Sequence, residues 1–321
     1  LFAKVVSIPQ EILTPIIVIF CMAGAYSVNE NYFDVAIALV KATFASGFVN
    51  NCVLEFCGPG IAALPIDYRN GIDVMTTETT CLSSIWPADH TLKAHLAVLG
   101  RGEAFKPQAP ADGAYYDGLI EVELDKIRPM IALPFHPSNA YTIQEFQENL
   151  DELLHQVDED TVRQLKLKNR PASLREKIVD GKFRVDQGVI AGCSGGTYQN
   201  IVRAAQILDG RAIGSGEFWL SVYPTSQPVN LELTRRGYIA SLMAAGASIR
   251  SCFCGPCFGA GDVPANGAFS IRHSTRNFPN REGSKPSDGQ VSYVALMDAR
   301  SIAATALNGG VLTGADELPA P

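Results

Sequence analysis

The sequence predicts an α/β protein of two domains, and three observations predict it. Short apolar runs alternate with helical patterns through most of the chain, an order that implies largely parallel sheets. The 321 residues exceed what one core serves, since single cores stop growing at roughly 250 residues. A charged helical stretch interrupts the alternation near the middle, and it divides the chain into a first α/β domain over 1–130, a connecting segment over 131–180 and a second α/β domain over 181–321.

The most apolar stretch, Ile12 to Ala25, is interrupted by Pro15. It is shorter than the roughly 18 residues a bilayer span needs, and no basic leader precedes it. It reads as a buried core segment, and no membrane is expected as a partner. The chain begins with Leu1 in place of Met, so a fragment or a processed form is expected. Further on, Gly118-Leu119-Ile120-Glu121-Val122-Glu123-Leu124 alternates apolar and charged residues, the period of a half-buried strand. Leu133-Pro134-Phe135-His136-Pro137 is too proline-rich for a regular element.

Tyr141 to about Lys177 reads as helical, with Leu150, Leu153, Leu154 and Val157 at helix spacing and acids opposite. In the second domain Gly188 to Gly192 is a short buried strand, followed by a helix from Gln199 to Leu208. Phe218 to Tyr223 is a strand stopped by Pro224; helices are expected at Leu231 to Arg236 and Tyr238 to Ala245, and a final one from Val291 to Ala306. In such a fold ligand sites sit at the carboxyl ends of the strands.

Composition narrows the function. A net charge of −7 and a pI near 5.3 leave no excess of Lys and Arg for a nucleic-acid backbone, so an anionic ligand must be caught by a few placed cations. Three of the eight cysteines, Cys252, Cys254 and Cys257, fall within six residues. That is a poor disulfide framework and a good metal or redox site, and it suits a reducing, cytoplasmic setting.

Cys254-Gly255-Pro256-Cys257 brings two thiols to one centre, and Cys193 lies at a strand-to-helix junction, Ala191-Gly192-Cys193-Ser194-Gly195-Gly196. Free amides at such a junction stabilise a thiolate. Clusters usually take four cysteines; three leave an iron with an open position for Lewis-acid chemistry. Taken by themselves the thiols leave alternatives open. The pair suits a thiol oxidoreductase, a structural zinc would add Cys252 or His273, and a non-catalytic metal-sensing module is compatible with either.

Four motifs in register extend the reading: Glu55-Phe56-Cys57-Gly58-Pro59-Gly60, Met75-Thr76-Thr77-Glu78, the CGPC turn continuing into Phe258-Gly259, and Ser274-Thr275-Arg276-Asn277-Phe278-Pro279-Asn280-Arg281. In order and spacing the chain resembles the aconitase and isopropylmalate isomerase large-subunit family, from about Gly47 to about Gly314. The resemblance implies two three-layer α/β domains of the aconitase iron–sulfur type and a 4Fe-4S cluster on Cys193, Cys254 and Cys257. It further implies Arg276 and Arg281 as clamps on substrate carboxylates, Glu78 as an active-site acid, and a small hydroxy-carboxylate as substrate. For Glu78, a helix-capping role is the competing reading.

Departures from the pattern accompany it. Val74 and Thr275 stand where the family has asparagines, Asn280 where it has glycine, and Gly192-Cys193-Ser194-Gly195 lacks an asparagine beside the cluster. A divergent hydratase is therefore expected. No segment resembles the family's first domain or its swivel domain, so those partners are expected in the same or another chain. Asp89-His90-Thr91 falls out of register and reads as a helix start; His136 has no evident partner; Cys21, Cys52, Cys57 and Cys81 read as small buried apolar residues.

Overall fold

The computed structural model describes residues 16–23, 32–214 and 216–318. Among them, the apolar run expected as core supplies β1 (Ile16–Ala23), with Val18 and Met22 buried; its residues 12–15 and 24–25 lie outside the described residues. With β2 (Cys52–Cys57), β3 (Ser83–Ile85) and β4 (Gly118–Glu123) it forms a parallel sheet of order β3-β2-β1-β4. Helices α1 (Tyr32–Phe44) and α2 (Ile66–Thr76) follow β1 and β2, since parallel neighbours need crossovers. Alternate residues of β2, Cys52, Leu54 and Phe56, are buried in one core with Val35, Ile37, Val40, Ile72 and Met75 of these helices. A surface helix, α3 (His90–Val98), begins where expected: Asp89 caps it by accepting from the Leu92 amide at 3.1 Å.

The second sheet receives its edge from the segment expected as a connector. β5 (Met130–Ala132) and β6 (Ala140–Thr142) join it antiparallel. Thr142 and Glu145 then close a reciprocal cap on the short helix α4 (Ile143–Glu148). Helix α5 (Leu150–Gln164) buries Leu150, Leu153, Leu154 and Val157 with Phe183, Phe269 and Tyr293. A small hairpin, β7 (Ile178–Val179) and β8 (Lys182–Phe183), leads into β9 (Gln187–Ile190), the one-turn helix α6 (Gly192–Gly195) and α7 (Tyr198–Leu208). After β10 (Trp219–Val222) come α8 (Gln227–Arg235), α9 (Tyr238–Ala245) and β11 (Ser248–Ile249). Helix α8 starts four residues before the expected Leu231, because Ser226 caps it and Pro228 occupies its first turn. The sheet closes with β12 (Phe269–His273) and β13 (Tyr293–Met297), followed by α10 (Ala299–Leu307). Its order is β11-β10-β9-β12-β13-β5-β6.

The single helix expected over Val291 to Ala306 is thus a strand and a helix. All five residues of β13 are buried, and a strand covered on both faces presents an unbroken apolar run that resembles a buried helix. Asp298 is the punctuation: its carboxylate accepts from the amides of Arg300 and Ser301, at 2.7 and 3.1 Å, and starts α10. Residues alternate between two faces along this part of the sheet. Phe269, Ile271, Tyr293 and Ala295 enter the larger core, whereas Val294 and Leu296 enter the core of the first sheet together with α1. Helix α1 is therefore shared by both sheets.

Where α1 meets the ends of β12 and α6, a buried polar network ties the units. The Tyr32 hydroxyl donates to the Ser194 carbonyl at 2.7 Å and faces His273 Nε2 at 2.9 Å. Asn200 Nδ2 donates to Tyr32 Oη at 2.9 Å and to the Ser194 carbonyl at 2.8 Å. His273 Nδ1 accepts from the Ala299 amide at 3.0 Å, which assigns the ring proton to Nε2. Burial pushes the His273 pKa down from 6.5 to about 3. The unfolded chain thus binds the extra proton first, so this neutral ring contributes stability above pH 6.5 that is lost as pH falls toward 3. Thermal midpoints should accordingly drop between pH 6.5 and about pH 4. His273→Gln, less stable at neutral pH by roughly 1–3 kcal/mol, should lose much less over the same interval; an equal loss in both proteins would refute the assignment.

Candidate metal centre

The three expected thiols come together at the carboxyl ends of the second sheet. Cys193 follows β9 in α6; beyond β11, Cys254 precedes the tight turn Gly255–Cys257 and Cys257 ends it. Gly192 is what permits the approach. It sits at φ 77°, and a Cβ there would lie 3.2 Å from Cys257 Sγ and 3.9 Å from Cys254 Sγ. Cys193 and Cys254 are exposed and Cys257 is buried.

The surroundings hold Cys193 and Cys257 toward the neutral thiol. Burial raises the Cys193 pKa and Cys254 adds to it, while the amides of Cys193 and Ser194 and the Arg276 charge oppose. Burial pushes Cys257 up to about 12, reinforced by Cys254 and Cys193 and opposed by the Thr275 amide. Arg276 Nε donates to Glu78 Oε1 at 3.0 Å across 198 positions of sequence. Glu78 is buried just beyond α2, and its carboxylate holds Arg276 above the ordinary guanidinium range. Glu78 therefore pairs with the arginine loop, and the capping role is not what it performs.

Arg281 is placed differently. Its carbonyl abuts Gly259, just past Cys257, at 3.4 Å from where a Cβ would stand, and its Nε is buried without a partner. Its backbone thus borders the cysteine turn, but the guanidinium is not joined to Arg276 or Glu78. Asn277 anchors the same loop, donating to the carbonyls of Ala132 and Leu133 at 3.2 and 2.8 Å. Ser274 Oγ and Asn277 Oδ1 are further buried atoms without partners there.

Other candidates fall away on their contacts. His273 has both ring nitrogens engaged in the buried network, so it is no fourth ligand, and among the described residues Cys252 makes none of the thiol contacts. His136, thought partnerless, bonds Ser138 Oγ through Nδ1 at 2.8 Å and lies against Phe44. Of the four thiols read as buried, only Cys52 is; Cys21, Cys57 and Cys81 are half-buried.

Among the described residues no three His, Cys, Asp or Glu side chains converge tightly enough to hold a single metal ion. What the site offers is a wider cradle: three sulfur donors around a side-chain-free Cα, with amides directed at two of the sulfurs. That donor set fits an iron–sulfur group. Tyr32 and Asn200, which help to hold this arrangement, carry no local signal in the sequence; Gly192 does, as the glycine beside Cys193.

A family model described as the aconitase family (aconitate hydratase) matches residues 4–309. The chain belongs to the aconitase family. Similar proteins include the 2,3-dimethylmalate dehydratase large subunit of Eubacterium barkeri, 26% identical over 93% of this chain and 61% of that protein. The 3-isopropylmalate dehydratase large subunit of Caldanaerobacter subterraneus subsp. tengcongensis is 30% identical over 78% of this chain and 51% of that protein. This aconitase-family chain therefore spans between half and two thirds of the length of these relatives. The crystal structure of Thermococcus kodakaraensis aconitase X (holo-form) overlaps with a TM-score of 0.41 and 11% identity, over 84% of this chain and 50% of that one. Among the described residues no helix is long and apolar enough to cross a membrane.

Because Gly192 needs both its positive φ and its missing side chain, Gly192→Ala should cost roughly 1–2 kcal/mol from the backbone alone. The check is the denaturant midpoint at constant m-value; an unchanged midpoint would show that the turn around Cys193 is not constrained as described.

Proposed function

We propose that this chain carries the 4Fe-4S cluster of a hydro-lyase that removes and adds water on a small hydroxy-carboxylic acid. The observation that carries the reading is the convergence of Cys193, Cys254 and Cys257 around Gly192, with the Arg276–Glu78 pair electrostatically coupled to those thiols. Family membership and relatives named as dehydratases support it.

When bound, a cluster held by three thiolates supplies Lewis-acid assistance to a departing hydroxyl. The chain's own residues would do the rest. Arg276 spends Nε on Glu78, which leaves its terminal nitrogens to grip a substrate carboxylate. Glu78, buried and fixed by that same bond, is positioned to hold or take up a proton beside the leaving hydroxyl. Arg281 would bring a second cation to the substrate from the loop bordering the cysteine turn. Remaining acid–base groups would come from protein outside these 321 residues, in the same chain or a partner subunit.

A disulfide reading also has an observation behind it, the nearness of the Cys254 and Cys257 sulfurs, which lie 3.9 and 3.2 Å from where a Gly192 Cβ would stand. That reading leaves the placing of Cys193 and of the Arg276–Glu78 pair beside the same turn unexplained, so the cluster reading is preferred.

Protein reconstituted without oxygen should contain about four irons and four sulfides with broad visible absorbance, and Cys193→Ser should lose most of both. A colourless, iron-free parent would reject the cluster. In the complete enzyme, Glu78→Gln should lower kcat by about a hundredfold or more, and Arg276→Lys should mainly raise KM, followed by the ultraviolet absorbance of the unsaturated acid. Unchanged kinetics in both would remove these residues from the mechanism.

A further inference from the structure

Strand β12 carries a charge to which no motif pointed. Arg272 is 1% exposed and shares its face of the strand with Ser270. Its Nη1 donates to the Pro256 carbonyl at 2.7 Å, its Nη2 to the Asp262 carbonyl at 2.6 Å and to Gln187 Oε1 at 3.2 Å, and its Nε to Ser270 Oγ at 3.0 Å. Every one of these acceptors is neutral.

Among the described residues no carboxylate bonds the guanidinium directly; Glu282 is the foremost opposite charge acting on it, ahead of Cys257. Asp262 turns its carboxylate to the Tyr223 hydroxyl and to Arg250, and Glu282 accepts from the hydroxyls of Ser284 and Ser292. Burial pushes the Arg272 pKa down to about 10, with Glu282 and then Cys257 drawing it back up, so the side chain stays charged at neutral pH. A buried charge with only neutral partners is costly unless an opposite charge stands close by. Pro256, whose carbonyl the guanidinium holds, lies between Cys254 and Cys257. Arg276 is the less suited cation, because Glu78 bonds its guanidinium directly, whereas the acceptors bonded to Arg272 are all neutral.

We propose that Arg272 is the buried counter-charge of the cysteine site, a positioning residue that fixes the Cys254–Cys257 turn through the Pro256 carbonyl and stabilises the negative charge of the ligated thiolates. This rests on the cluster reading given above.

The test uses the parent, Arg272→Gln and Arg272→Lys, each reconstituted without oxygen with ferrous iron and sulfide. Two quantities are read: the rate at which a ferrous chelator strips the iron, and the midpoint potential from a titration followed by electron paramagnetic resonance. Arg272→Gln should lose iron about tenfold faster or more, and its potential should fall, because removing a positive charge disfavours the added electron. Arg272→Lys keeps the charge without the fork, so its potential should stay near the parent's while iron leaves at an intermediate rate. A potential in Arg272→Gln equal to the parent's overturns the proposal. Should the circular dichroism of Arg272→Gln show that it has not folded, Arg272→Lys is read on both quantities: faster iron loss at an unshifted potential supports the proposal, and a parent-like rate, or a marked fall in potential, overturns it. A parent that takes up no iron or sulfide overturns the cluster reading and this inference together, an outcome distinct from a loaded parent with an indifferent variant.

Discussion

The bond between Tyr32 and His273, closed by Ser194 and Asn200, is the constraint on which the site depends. It lies where helix α1, the end of strand β12 and the one-turn helix α6 meet, and every group in it is buried. A buried polar network is stable only when its donors and acceptors are matched, so the bonds set the His273 tautomer and the position of the Ser194 carbonyl. Cys193 is the residue before Ser194. Its backbone is consequently pinned by a tyrosine from the other sheet's crossover helix.

Other contacts between the units are of the same kind. Asp34 of α1 accepts from the Met130 amide at 2.8 Å, and burial keeps its carboxyl well above the usual carboxylate range. Asp67 of α2 accepts from the Gln199 amide at 3.2 Å, at the start of α7. Glu78, just past α2, reaches Arg276. The first sheet and its helices thus act on the cysteine site by supplying fixed acceptors at element ends, where main-chain amides lack partners of their own. The Arg276–Glu78 bond is partly open to solvent on the arginine side, so it contributes modestly to stability; its consequence is to orient the guanidinium.

Much of the α/β alternation was legible because strand and helix periods differ and because turn residues punctuate them. The strand at Gly118, the helix opened by Asp89 and the amphipathic helix α5 are examples whose signals are local. Strand β13 was not legible: covered on both faces, it has no polar alternation to reveal a period of two. Strands β5 and β6 are three residues each, too short for any period; β5 forms against β13 and β6 against β5.

For the site the division is similar. The sequence by itself determined the identity of the three thiols and the arginine loop, because spacing within a turn and motif order are properties of the chain. Which thiol is buried, that Glu78 pairs with Arg276 and not with its own helix, and that His273 is a strut and no ligand were decided only by the tertiary structure. So was the place of Arg272, which no motif marked. Glu78 meets Arg276, Tyr32 meets His273 and Gln187 meets Arg272 across 198, 241 and 85 positions of sequence, in the folded protein. There the cost of an unpaired charge or donor decides who bonds to whom, and no local pattern encodes it.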